Sequence, residues 1–352
     1  MRNKSWKKSI GYGKFVLSLL IVLLCITACN GLQKNTIEIE EQGSFTAGGT
    51  VMTDSVGNTF HGDHAYVFYQ KPVNARKYPL VFVHGTGQFS KTWETTPDGR
   101  EGFQNIFLRR RFSTYLIDQP RRGRAGRSTS PADIRPVMDE AIWFNRFRLG
   151  IYPDYFPNVQ FKQDRKTLEE FYRQMTPNIG AFDFEVVSDG VARAIDKIGS
   201  SILVTHSQGG PVGWKAFLKT DNVKAIVAYE PGGLFPFPQG ENPSDAKTPS
   251  GVAESTEIPL PDFMKYTQIP IVIYYGDFLP EHSDNPEQNY WRLRLELARK
   301  WAECVNEKGG DVTVVHLPEI GVHGNTHFPF SDLNNIQIAD LLSEYLHDKK
   351  LD

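Results

Sequence analysis

Short apolar runs punctuate the chain at residues 80–83, 114–117, 202–204, 225–228, 271–275 and 312–316. Strands buried on both faces read as unbroken apolar runs rather than alternating ones, so these six predict a mostly parallel sheet. Between them, residues 183–198, 211–219, 287–306 and 336–347 space their apolar positions as helices do. Alternation of strand and helix predicts an α/β fold with helices on both faces of the sheet. Upstream of residue 80 the pattern changes to β-branched and aromatic residues, as in residues 65–70 (AYVFYQ), broken by Gly48-Gly49, Gly57-Asn58 and Gly62-Asp63. That pattern predicts antiparallel opening strands, with the glycine pairs between them. Residues 131–179 and 232–268 exceed an ordinary connection, and insertions of this length are usually lids or binding loops. The first carries nine aromatics between Trp143 and Tyr172, in a chain that is 12% aromatic. These rings either line an apolar pocket or pack their own excursion onto the core.

The N-terminus follows another logic. Arg2, Lys4, Lys7, Lys8 and Lys14 precede an apolar run of 14 residues, FVLSLLIVLLCITA, at residues 15–28. A basic segment followed by an apolar one shorter than the roughly 20 residues of a membrane span reads as a signal peptide. The run ends Ile26-Thr27-Ala28-Cys29, which resembles the bacterial lipobox. The resemblance implies cleavage before Cys29 and lipidation of its thiol. Export with a lipid anchor on a bacterial membrane is the resulting expectation, with 1–28 the signal peptide, 29–42 a polar tether and 43–352 the folded domain.

Composition removes several classes of function. The 352 residues carry 39 Lys+Arg against 41 Asp+Glu and are 40% hydrophobic, which is globular composition. Without residues 1–28 five positive charges go, leaving a net charge of −7. The arginines at 109–111 and at 121, 122, 124 and 127 have no interleaved aromatic stacking platform, so a solvated or lid-pairing face is expected and nucleic acid is not. Past residue 28 only Cys29 and Cys304 remain; a lipidated Cys29 cannot pair, and Cys304 lies in a helical pattern with no chemistry assigned to it. The nine histidines show no paired ligand spacing, so no metal and no cofactor are expected.

Candidate chemistry lies where strands end. Residues 201–210 read SILVTHSQGG, a strand, a serine among small residues and a Gly-Gly-Pro helix start, resembling the nucleophile elbow. So tight a strand-to-helix turn requires small residues at 205 and 209; Gly209 conforms, and Thr205 replaces the usual first glycine. Residues 80–88, LVFVHGTGQ, resemble the oxyanion loop of α/β hydrolases. There the backbone N–H of Thr86 or Gly87 would face a substrate oxygen together with that of Gln208, while His84 braces the loop. Residues 115–128, YLIDQPRRGRAGRS, resemble the Asp-x-x-Gly-x-Gly-x-Ser loop of the same superfamily at Asp118, Gly123, Gly126 and Ser128.

A serine nucleophile needs a base and a group that orients the base. His323 and His327 both follow the last strand, in GVHGNTHFPFSDLNN, and Glu230 and Asp277 both end strands. Taken together, HGTGQ, HSQGG, YEPGG and GNTH resemble secreted bacterial carboxylic-ester hydrolases of the α/β-hydrolase superfamily, over roughly residues 43–335. The resemblance implies the α/β-hydrolase fold and a triad of Ser207, His327 and Glu230, with the acid after strand six. The commoner superfamily arrangement puts the acid after strand seven and keeps Asp277 as the alternate. The expected partner is a small-molecule ester, cleaved through an acyl-enzyme, with activity rising through about pH 6–7.5 as an ordinary histidine loses its proton. Rival readings on the same fold are an amidase, thioesterase or lactonase, and a ligand-binding lipoprotein without turnover.

Overall fold

The computed structural model describes residues 36–243, 254–283 and 285–352. The signal-peptide run and Cys29 lie outside the described residues. Eight strands form the central sheet: β1 (Ile39–Thr53), β2 (Thr59–Pro72), β3 (Leu80–Val83), β4 (Thr114–Asp118), β5 (Ser201–His206), β6 (Val223–Tyr229), β7 (Pro270–Tyr275) and β8 (Asp311–His316). Their order is β1-β2-β4-β3-β5-β6-β7-β8. β1 and β2 are antiparallel to each other, β2 is antiparallel to β4, and every pair from β4 to β8 is parallel.

Each of the six runs forms the strand expected of it because period-two alternation sends its residues to two different cores. In β5, Leu203 packs with Val187, Val191 and Ile195 of α4 (Phe184–Ile198) and Trp214 of α5 (Gly209–Phe217). Its neighbours Ile202 and Val204 face the other side, with Phe103 and Phe107 of α1 (Phe103–Arg109) and Leu342 of α7 (Asn335–Asp348). A third large helix, α6 (Pro286–Glu307), covers the first face through Trp291, Leu295 and Trp301. Asp183 and Asn285 begin α4 and α6 by accepting the free N–H groups of the first turn, as good N-caps do.

Two expectations need correction. The last residues of the tether expected over 29–42 belong to the fold, since β1 begins at Ile39 and pairs with β2 from Ile39 opposite Pro72. Its polar residues suit an edge strand: Glu41 accepts hydrogen bonds from Tyr69 Oη and Lys71 Nζ, each at 2.6 Å. Gly48-Gly49 and Gly62-Asp63 lie within one long hairpin, and only residues 54–58 turn. Gly48 is needed there because a side chain would meet Gly190 Cα of α4 at 3.2 Å.

Residues 131–179 fold as α2 (Glu140–Arg146), a two-residue pairing of Gly150–Ile151 with Asp154–Tyr155, and α3 (Arg165–Arg173). Their aromatics pack onto the core: Phe147 and Phe171 meet Phe328 edge-on at 4.9 and 5.3 Å. In residues 232–268, Phe235–Pro238 pairs with Ser255–Ile258 in parallel.

Candidate active site

Parallel register brings the C-terminal ends of β3, β5, β6 and β7 to one edge of the sheet, where open α/β sheets bind ligands. Ser207 follows β5 directly and holds φ +53°, a left-handed conformation that costs a non-glycine residue about 1–3 kcal/mol. Its amide donates to Tyr229 O, and its carbonyl accepts from Gly210 N and Gly232 N, so the turn is held from three sides. Gly209 is obligatory, as a Cβ there would stand 2.7 Å from His84 O and 2.8 Å from Val83 O. Thr205 fits despite its size because it faces Gly213 of α5, whose missing Cβ leaves room for the threonine methyl.

The loop after β3 abuts this elbow: a Cβ on Gly85 would lie 2.7 Å from Ser207 Cβ. Thr86 and Gly87 follow, Gly87 at φ +66°, and Gln208 caps α5 with its amide at the helix N-terminus. His84 is fully buried, its Nδ1 3.0 Å from Gly85 O and its Nε2 accepting Gln119 N at 3.1 Å. Burial holds it neutral, with its pKa pushed down to about 4, and it acts as the brace expected. The arginines expected on a solvated or lid-pairing face divide: Arg111, Arg124 and Arg127 are exposed, while Arg121 and Arg122 are not. Arg122 is buried and donates to Gly85 O, to Gln208 Oε1 and to Asn178 Oδ1 of the insertion, whereas Arg121 is buried against Asp63. Backbone carbonyls and carboxylates inside the fold claim charges that their sequence context makes look solvated.

Glu230 follows β6, also in the left-handed region at φ +51°, and is fully buried. His327 lies between β8 and α7, with Nδ1 3.1 Å from Glu230 Oε2. Close approach of the two loops depends on Gly276, where a Cβ would meet Thr326 O at 2.6 Å and Glu230 Oε1 at 3.0 Å. The His327 loop is braced by Asp332, which accepts from Thr326 N, Thr326 Oγ1 and Asn325 Nδ2. His327 is fully buried between Trp291, at 4.0 Å between ring centres, and Phe147, stacked at 5.4 Å. Its Nε2 is buried without a hydrogen-bond partner, and Ser207 keeps 8% of its surface exposed. The Ser207 to His327 hydrogen bond is therefore not closed; such bonds are often long before substrate binds.

The alternates fall elsewhere. Asp277 Oδ1 accepts Phe278 N at 2.6 Å and Oδ2 accepts Gly324 N at 2.7 Å, so its carboxylate caps two turns. His323 is exposed and stands 3.6 Å from that same carboxylate, so the two alternates face each other. Arg148, Asp332 and the carbonyl of Phe147 have no sequence signal that marks them. A cleft of about 480 Å³ opens between residues 89–99 and α3, lined in part by Phe89, Lys91 and Gln174; Ser207 does not line it.

A mostly parallel sheet with an elbow serine, an acid after β6 and a histidine after β8 is an α/β-hydrolase arrangement, and residues 80–341 match the alpha/beta hydrolase family. The chain belongs to that family. It is 28% identical over 334 residues to the probable secreted lipase phiG of Fungal sp., covering 83% of this chain and 88% of that one. It also resembles a solved bacterial esterase, described as novel, with 29% identity and a TM-score of 0.71 over 89% of this chain and 97% of that one.

Proposed function

We propose that Ser207 attacks the carbonyl of a carboxylic ester, that His327 takes its proton and returns it to the leaving alcohol, and that Glu230 orients the imidazole. The chain is a hydrolase of carboxylesterase type, the class to which the secreted lipase and the bacterial esterase belong by name. The observation that carries the triad is the buried Glu230 Oε2 contact to His327 Nδ1 at 3.1 Å, behind a serine on a strained elbow. With Nδ1 donating to the carboxylate, the neutral tautomer leaves Nε2 as the proton acceptor. That atom is the one without a partner. Backbone N–H groups of Thr86 or Gly87 and of Gln208 stabilise the oxyanion, and water then releases the acid from the acyl-enzyme. Export, with a lipid on Cys29, completes the reading; its support is the lipobox-like sequence and a relative named as secreted.

The test is a fluorophosphonate probe on the purified chain lacking residues 1–28, beside Ser207→Ala and His327→Ala, with the labelled peptide found by mass spectrometry. Labelling on Ser207 that disappears in both variants is expected. A folded wild-type protein that takes no label overturns the reading in favour of a binding scaffold, and faster turnover of an amide than of the matching ester would move the bond class to amidase.

A further inference from the structure

Three consecutive residues at the end of α2, inside the insertion, reach the triad or its supports. The Arg146 carbonyl accepts Trp291 Nε1 at 2.6 Å, and the Arg146 side chain pairs with Glu287 of α6 at 2.7 Å. The Phe147 carbonyl accepts the amide of His327 at 2.9 Å while its ring stacks on the imidazole. Arg148 then turns at φ +58°, a strained conformation, and enters the site. Its Nη1 donates to Glu230 Oε2 at 2.9 Å, its Nη2 to Oε1 at 2.5 Å, and its Nε to Asp277 O at 2.8 Å. Neither side chain of the Arg148 and Glu230 pair has any exposed surface.

A carboxylate offers about four acceptor positions. On Glu230 two guanidinium contacts, His327 Nδ1 and the Gly276 amide engage them, two on each oxygen. The carboxyl plane is thereby set from both sides, and Oε2 is the oxygen left facing the imidazole. A planar fork imposes this geometry; a lysine ammonium, as a point charge, does not.

Resting on the triad reading above, we propose that Arg148 is a positioning residue of the catalytic machinery, carried into the site by the insertion, which fixes the plane of Glu230 so that the carboxylate can hold His327 in line with Ser207. Seating of the insertion and assembly of the triad become one event. A triad needs only a nucleophile, a base and an acid, so this clamp is an addition to that minimum.

The clamp also has an electrostatic signature. Among the described residues, the charged and titratable groups acting on His327 are Glu230 after β6, Arg148 of the insertion, Arg294 of α6 and His206 of β5, while Asp332 ahead of α7 braces its loop through Thr326. Arg148 opposes the positive charge that His327 acquires during turnover, so its removal makes the imidazole more basic. The acid side of the kcat profile then moves to higher pH.

The experiment compares wild type, Arg148→Gln, Arg148→Lys, Glu230→Gln and the double variant Glu230→Gln with Arg148→Gln, on a short-chain p-nitrophenyl ester and with the fluorophosphonate probe. Arg148→Gln is expected to lower kcat about 100-fold with little change in KM and to move the acid limb up by about 1 pH unit. Arg148→Lys, which keeps the charge and loses the fork, is expected to lower kcat about tenfold with the limb nearly in place. Adding Arg148→Gln to Glu230→Gln is expected to change kcat by less than about threefold, because nothing is left to position. Equal losses in the two backgrounds with an unmoved limb would make Arg148 structural only and overturn the inference. If Arg148→Gln does not fold, a wild-type kcat in Arg148→Lys overturns it alone. Failure of wild type to label at Ser207 instead defeats the triad reading, whatever the variants do.

Discussion

Burial by itself would raise the Glu230 carboxyl, but the Arg148 charge and the hydrogen bond from His327 overrule it and hold the pKa down to about 2. His327 is governed by burial, which outweighs the pull of Glu230 and leaves its pKa lowered to about 4. A base works when neutral, and a lowered pKa extends the neutral form to lower pH. The expectation from an ordinary histidine, activity rising through about pH 6–7.5, is thereby corrected: kcat/KM is expected to be level across that range and to fall only as pH drops toward about 4. A stopped pH series with a non-ionising ester substrate checks this, and a midpoint near 6.5 would mean that His327 is solvated in the working enzyme. The two acids separate just as sharply. Glu230→Gln is expected to lower kcat by about 10⁴-fold by misplacing the imidazole tautomer and, by stranding Arg148, to cost about 3–5 kcal/mol of stability. Asp277→Asn keeps one acceptor oxygen and loses the other turn cap, about 1.5–3 kcal/mol in a denaturant titration, with kcat kept within about tenfold of wild type.

The elements that make the site meet through glycines. Gly209 lets α5 start against β3, Gly85 lets the loop after β3 lie on Ser207, and Gly276 lets the Glu230 and His327 loops touch. Gly209→Ala would drive a methyl into the carbonyls of Val83 and His84, which belong to backbone and cannot rotate away. It is expected to cost about 1–3 kcal/mol and to depress kcat more than KM by spreading the oxyanion donors; thermal unfolding beside steady-state kinetics reads both. Strands β3 to β8 and helices α4 to α7 were legible because each must satisfy a period that burial imposes, and their ends differ from expectation by one or two residues. Helix α1 and the insertion helices were less legible. α1 follows no motif, and α3 buries only Thr167 and Phe171. The long β1 to β2 hairpin was misdivided because glycines that admit a crossing helix look the same in sequence as glycines that turn a chain.

At the scale of the whole molecule, charge and composition exclude partners more readily than they identify them. The chain has a formal charge of −2, and three of its arginines, Arg122, Arg121 and Arg148, are spent inside, on Gly85 O, Asp63 and Glu230. If Cys29 carries a lipid, Cys29→Ser expressed from the full chain is expected to lose metabolic fatty-acid labelling and to move from the membrane fraction to the soluble one, with specific activity toward a soluble ester unchanged. Retention in the membrane fraction without labelling would point to the apolar run itself as the anchor. The sequence alone determined the sheet, the elbow and the short set of candidate residues, because each follows from a local period or a tight turn that few residue types satisfy. The family resemblance named Glu230 and His327; the tertiary structure brings those two together and adds what no motif marked, an arginine from the insertion that closes on the acid. Both depend on contacts between residues 82 to 180 positions apart in the chain, from Arg148 to Glu230 and from Phe147 to His327, and no local pattern encodes contacts at that range.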